Sequence, residues 1–259
     1  NVGFGQYIDM YDTGLRHESG YISLVKTGIF SQTVGNARLA SLQIDAGSLK
    51  VVNTLLLAGE LSVAQDGNLV VGHDEWQGLY DYDVQVNDGG VLRLGSGFGS
   101  LTGTPYTEDG VQKTGNTILL NGGGVLGMLD ADWSNENEMV VNAGGKAFVL
   151  DTTGYDPDSM TASGNSHVMT LNGTVKPGGA SGIIIVKNGN AGKNGRVVLG
   201  AANTWDGVYQ VTDHAALELA HAGALNTKAG VELQGAASRL DVKAGTVSYA
   251  ASVKLAGAG

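Results

Sequence analysis

The chain has no cysteine, three prolines and few charged side chains. The first absence excludes disulfides, Cys₄ and Cys₂His₂ metal centres and cysteine nucleophiles. Asp, Glu, Lys and Arg together make only 15% of the 259 residues, and the balance is acidic, with a formal net charge of −10. An acidic surface repels nucleic-acid phosphates and anionic lipid, so neither is an expected partner. No apolar run approaches the ~18 residues of a membrane span, and no membrane insertion is expected of this stretch. No basic start followed by an apolar run opens at Asn1, so no signal peptide is read there. Asn1 and the Gly257-Ala258-Gly259 end read as cuts in a longer array, and a fragment of a larger protein is the expectation. Also missing is any stretch beyond about ten residues with the i, i+3, i+4, i+7 pattern of an amphipathic helix.

Glycine is abundant, at 42 residues, while 42% of the chain is still apolar. The apolar residues come in short alternating runs, which is strand behaviour rather than disorder. One unit stands out at residues 140–149: Val-Val-Asn-Ala-Gly-Gly-Lys-Ala-Phe-Val. Its pattern is an alternating apolar run, then Asn or Asp, then glycine, then a second alternating run. It recurs from Leu42 to Val51, Val84 to Leu94 and Ile118 to Leu126, with weaker copies over Gly59 to Val71 and Leu171 to Val175. The turn glycines Gly47, Gly67, Gly89, Gly123, Gly144 and Gly173 are about 20, 22, 34, 21 and 29 residues apart. Gly, and less readily Asn or Asp, accepts the positive φ of a tight corner.

A fixed grammar at twenty-odd residues is the signature of a stacked repeat. The fold expectation is all-β, a right-handed parallel β-helix of roughly 9–12 coils, forming one elongated domain over residues 1–259. Residues 1–23 read as an irregular lead-in or partial coil. Insertions are expected near 72–83, 95–116, 127–137 and 151–166. Leu42, Leu61, Val86, Leu120, Val141 and Leu171 are the expected core row. Helix formers gather in 215–225, yet Leu217 alternating with Leu219 favours a strand there.

Two stretches resemble the passenger-associated repeat of bacterial autotransporters. The first is Leu24-Val25-Lys26-Thr27-Gly28, then Asn36, then Ile44-Asp45-Ala46-Gly47-Ser48-Leu49-Lys50-Val51. The second is Val186-Lys187, then Val197 to Gly207 with its Gly200-Ala201-Ala202-Asn203-Thr204-Trp205-Asp206-Gly207, then Val211, Leu217-Glu218-Leu219 and Ala222-Gly223-Ala224-Leu225. The first copy has Asn36-Ala37-Arg38 where the family has Asn-Thr-Tyr, and the second inserts one residue before its Asn. The resemblance covers about 24–71 and 184–242. It implies a right-handed parallel β-helix passenger, displayed on or secreted from a Gram-negative cell, with a translocator barrel outside this stretch. It does not imply an activity, since passengers include adhesins, proteases, esterases and toxins.

No catalytic residue is assigned. The chain has no Gly-x-Ser-x-Gly elbow, and His17, His73, His167, His214 and His221 are isolated in sequence. Asp130 with Asp132, or Asp74 with Asp81 and Asp83, are the carboxylates that a polysaccharide-acting β-helix would use, although the surrounding motifs of such enzymes are missing. Trp76, Tyr80, Asp81 and Tyr82, with Asp132 and Trp133, combine aromatic faces and carboxylates in the way that holds sugar rings; the plainer reading is that the tryptophans cover coil ends. Asp151, Asp156 and Asp158 are the candidate calcium ligands, against an ordinary Asp-rich turn, and no other cofactor is expected. Trp205 is assigned to the repeat. The functional expectation is a non-catalytic passenger fragment acting as adhesin or stalk, with a host or bacterial surface glycan or protein, or a second copy, as partner. The alternatives are the stalk of a passenger serine protease whose catalytic domain lies upstream, and a polysaccharide-acting enzyme.

Overall fold

The computed structural model describes residues 22–29, 31–57, 61–64, 67–71, 84–94, 106–108, 111–113, 118–129, 131–156, 161–235, 237–243 and 252–256. All regular structure among them is strand. Most strands are three to five residues long, too short to hold alone, so they persist only by pairing along their length with neighbours.

Apart from two antiparallel hairpins, the pairing is parallel and forms three ladders. The first runs Ile22–Lys26, the end of Gln32–Ile44, Leu61–Val63, Val84–Val86, Ile118–Asn121, Met139–Asn142 and Val175–Pro177. The second runs Gly47–Leu57, Gly67–Val71, Val91–Leu94, Val125–Met128, Phe148–Asp151, Ile183–Lys187, Val208–Val211, Gly230–Gln234 and Ser252–Ala256. The 13-residue strand Gln32–Ile44 belongs to both, because its start pairs with Gly47–Leu57 and its end with Leu61–Val63. It therefore joins the two into one 16-stranded sheet. A separate five-stranded sheet holds the third ladder: Trp133–Asn135, Val168–Leu171, Arg196–Leu199, Ala216–Leu219 and Arg239–Val242. The strand expected within 215–225 is thus present.

Register sets the core. In the second ladder Leu49, Leu69, Leu92, Leu126, Leu150, Val186 and Val211 are consecutive partners, all buried, at steps of 20, 23, 34, 24, 36 and 25 residues. Alternation is visible in the burial of single strands: Leu119 is half-buried between buried Ile118 and Leu120. Each fully buried aliphatic side chain contributes roughly 1.5–3 kcal/mol, so a continuous row compensates the short strands. The expected row is corrected in two places. Leu42 pairs with Leu61, but Leu61 pairs with Val84 rather than Val86. Leu171 lies in the third ladder, between Asn135 and Leu199, and not beside Val141.

The corner from the first ladder to the second is a repeated turn. Gly89, Gly123 and Gly144 have φ of 74°, 86° and 51°. A chain of amides stacks beside them: Asn142 Nδ2 donates to Asn121 Oδ1 at 3.4 Å, Asn121 Nδ2 to Asn87 Oδ1 at 2.7 Å, and Asn87 Nδ2 to Ser62 Oγ at 3.0 Å. Gly173 differs from these turn glycines. Its φ is not positive, and a Cβ there would strike the carbonyl of Asn137.

The Gly200–Gly207 stretch proves to be structural throughout its second half. Asn203 is buried, accepts the Val175 amide at 2.7 Å and donates to the Ala224 carbonyl at 2.9 Å, tying three successive passes together. Trp205 is fully buried in the core. Gly207 leaves room for it, since a Cβ there would lie 2.5 Å from the indole Cζ2. Asp206 accepts from the Ser181 hydroxyl.

The interruptions of the repeat are of different kinds. Residues 127–137 are not an insertion: they carry the end of Val125–Met128 and then Trp133–Asn135, where the third ladder begins. Residues 151–166 contain an antiparallel hairpin, Thr153–Tyr155 with Ala162–Ser166, and 95–116 contain another, Tyr106–Glu108 with Val111–Lys113. Residues 72–83 and 1–21 lie outside the described residues.

Candidate functional site

Two groups of sequence-predicted residues, apart in the chain, converge on one edge, where the second ladder passes to the third. Asp151 ends the strand Phe148–Asp151 and is 3% exposed. Its Oδ1 accepts the Thr153 amide at 3.0 Å, and its Oδ2 lies 4.0 Å from Arg93 Nη1. Arg93 is two strands away, with Gly127 the intervening register partner. The absent side chain at Gly127 opens the path, because a Cβ there would lie 2.6 Å from Arg93 Nη1. Tyr155, on the hairpin, covers the guanidinium with its ring centroid 3.5 Å from Cζ. Burial lowers the Arg93 pKa from its usual value, while Tyr155 and Asp151 oppose that shift.

Asp132 stands on the other side of the hairpin. It is exposed, accepts the Val168 amide at 2.8 Å, and lies 3.5 Å from His167 Nδ1. His167 in turn donates its backbone amide to Thr152 at 2.9 Å, one residue from Asp151. Its Nε2 is buried without a hydrogen-bond partner. Between the two aspartates runs a buried polar seam. The Thr152 hydroxyl donates to Lys187 O at 3.0 Å, and the Gly189 amide donates to Thr153 Oγ1 at 2.7 Å. Asn188, fully buried, accepts from the Ser166 hydroxyl at 2.7 Å and turns its amide toward the His214 carbonyl at 3.3 Å.

Two expectations change with this geometry. Trp133 is 3% exposed and belongs to the core, beginning the inward row Trp133, Met169, Val197, Leu217. Strand alternation turns Asp132 outward and Trp133 inward, so the indole offers no face to a sugar. Asp151 already faces a cation, the Arg93 guanidinium, and is not an open ligand for calcium. Asp156 is exposed, with its amide donating to Thr161 O at 2.8 Å to close the hairpin loop. Asp158, Asp130, Trp76, Tyr80, Asp81 and Tyr82 lie outside the described residues. Among the described residues no three His, Asp or Glu side chains gather as a metal-binding group.

Arg93, Tyr155 and Asn188 carry no functional pattern in the sequence, and His167, isolated there, meets Asp132 only in the fold. The available signal was Gly127, a glycine at a strand position where an outward side chain was due. No family model, no curated protein and no solved structure matches the chain.

What remains at this edge is an exposed polar surface on a rigid support. Its exposed parts are the Asp132 carboxylate and the strand Ala162–Ser166, of which residues 162–165 are exposed. Such a surface can form hydrogen bonds to a glycan or protein.

Proposed function

We propose that the chain winds as a right-handed parallel β-helix whose three ladders are its faces, and that it is a surface-displayed or secreted passenger fragment of a Gram-negative autotransporter. In this reading it is non-catalytic and acts as an adhesin or stalk. The observation that carries the proposal is the second ladder, nine parallel strands from Gly47–Leu57 to Ser252–Ala256 without an antiparallel step. An elongated stack holds its edges away from the cell while the interior row supplies stability. The amide chain at one corner and the Asn188 seam at another support the same reading, since both satisfy polar groups from one pass to the next. A passenger fragment also makes sense of Asn203, Trp205 and Gly207 as scaffold residues of the resembling repeat. The partner would be a surface glycan or protein, reached through the hairpin edge and the 73–83 segment.

The test uses bacteria carrying the intact gene and a protease unable to cross the outer membrane. Loss of an epitope within residues 184–242, with a periplasmic marker left intact, is the expected result. An epitope that survives until the cells are opened sinks the display proposal.

A further inference from the structure

The chain contains four Asn-Gly dipeptides: Asn121-Gly122, Asn172-Gly173, Asn188-Gly189 and Asn194-Gly195. Asn-Gly is the sequence most open to succinimide chemistry, because glycine places no side chain in the way of ring closure. The reaction needs a free amide nitrogen on the glycine and an asparagine side chain able to swing onto it. The fold withholds these from three of the four. The Gly122 amide donates to Asn142 O at 2.9 Å, that of Gly173 to Asn135 O at 3.2 Å, and that of Gly189 to Thr153 Oγ1 at 2.7 Å. Their asparagines are committed too. Asn121 sits in the amide chain, Asn172 Nδ2 donates to Glu136 Oε1 at 2.6 Å, and Asn188 is fully buried in its seam.

Asn194 is exposed, and the amide of Gly195, itself a buried residue, has no hydrogen-bond acceptor among the described residues. Only the Gly195 carbonyl is engaged, accepting from Ala216 at 3.1 Å. We infer that Asn194 is a spontaneous modification site, at which the chain converts an amide to an acid in its folded state. The Gly195 nitrogen, not held by a hydrogen bond, gives its proton to hydroxide that enters as the exposed turn at Asn194 opens, and attacks Asn194 Cγ. Ammonia leaves, taking a proton from solvent, and a five-membered imide remains. Water then opens the imide at either carbonyl, giving aspartate or isoaspartate. The net exchange is one water consumed and one ammonia released, and no enzyme or cofactor takes part.

The place gives the reaction a consequence. Residues 188–195 fold around the Asn188 amide, which reaches toward Lys193 O at 3.5 Å. Gly195 is wedged so closely that a Cβ would lie 2.6 Å from Thr152 Oγ1 and 2.7 Å from Asn188 Cγ. Asn190 Nδ2 also donates to Asn165 O on the hairpin. An isoaspartate lengthens the backbone by one methylene directly beside this wedge, and either product adds a negative charge to the candidate edge.

The folded protein is incubated in mildly alkaline buffer and digested at aspartates. The fragments are sequenced by mass spectrometry, and isoaspartate is labelled with isoaspartyl methyltransferase and S-adenosylmethionine. A committed amide must first break its hydrogen bond, so Asn194 should convert about tenfold faster than any of the other three. In urea all four should convert at comparable rates, and Asn194→Gln should remove the folded-state signal while leaving the melting temperature unchanged. An Asn194 that stays intact in the folded protein while converting in urea overturns the inference. So does conversion of Asn121, Asn172 or Asn188 at an equal rate in the folded protein.

Discussion

Arg93 passes over Gly127 to reach Asp151, and the space it uses is the side chain that Gly127 lacks. The three form one row of register partners, with the middle member left small so that its neighbours can meet across it. Gly127→Ala should push the guanidinium out of line with Tyr155 and Asp151 and cost about 1–2 kcal/mol, although alanine is the better strand residue. Arg93→Met should cost more, about 3–5 kcal/mol, because it leaves the Asp151 carboxylate buried and unpaired. Urea unfolding of both variants checks the order. Equal or smaller loss in Arg93→Met would show that Asp151 does not depend on its partner.

Asn203 offers a second measurement. Its side chain closes two buried hydrogen bonds, to the Val175 amide and the Ala224 carbonyl. Asn203→Ala strands both groups, and at about 1–3 kcal/mol each the loss should reach about 2–6 kcal/mol. Asn203→Asp retains the acceptor for Val175 but loses the donor to Ala224, and should fall between wild type and alanine. A carboxylate variant less stable than alanine would mean that charge burial, not hydrogen bonding, governs the position.

The repeat was legible because its signals are local. Alternation such as Ile118-Leu119-Leu120 and the turn glycines Gly89, Gly123 and Gly144 each act within a few residues, so strand and corner could be read directly. What could not be read is what depends on which passes become neighbours. Leu171 has the same local pattern as Val141, yet it lies in another sheet because the third ladder begins only at Trp133. The candidate edge was harder for the same reason. Sequence marks Asp132 as a candidate sugar-binding carboxylate and Asp151 as a candidate calcium ligand, but their partners His167 and Arg93 come from 35 and 58 positions away. Trp133 was ambiguous between platform and core, and only strand phase relative to Asp132 decides it.

The turn between Val208–Val211 and Ala216–Leu219 carries strain that can be removed. Asp213 and His214 have φ of 38° and 61°, and Ala215 donates back to Thr212 O at 3.1 Å. Two consecutive positive φ values suit Asn-Gly, and each ordinary residue held there costs about 1–2 kcal/mol. Asp213→Asn combined with His214→Gly should therefore stabilise the fold by about 1 kcal/mol after the added chain entropy of glycine is subtracted. The His214 carbonyl, which receives the Asn188 amide, is unchanged by the substitution. A lower melting temperature in the double variant would show that the side chains themselves contribute to the turn.

Tyr209 makes the fold sensitive to alkali. Its ring is buried between Ile184 and Val231 in register, and the hydroxyl has no hydrogen-bond partner among the described residues. Burial raises the phenol's pKa well above its ordinary value, because the phenolate has no solvent. The folded state thus holds the proton more tightly than the unfolded state. That contribution is complete below the unfolded pKa of about 10 and is lost as pH rises beyond it, by about 1.4 kcal/mol per unit. Tyr209→Phe lacks the titrating group, so the stability difference between phenylalanine and wild type should be constant up to about pH 10 and then grow in favour of phenylalanine. At neutral pH the variant should already be more stable by about 1 kcal/mol, since it no longer buries an unpaired hydroxyl. Chemical denaturation of both proteins across that range separates the two effects. Parallel curves above pH 10 would mean that the phenol ionises in place, and a less stable phenylalanine at neutral pH would mean that the hydroxyl has a partner.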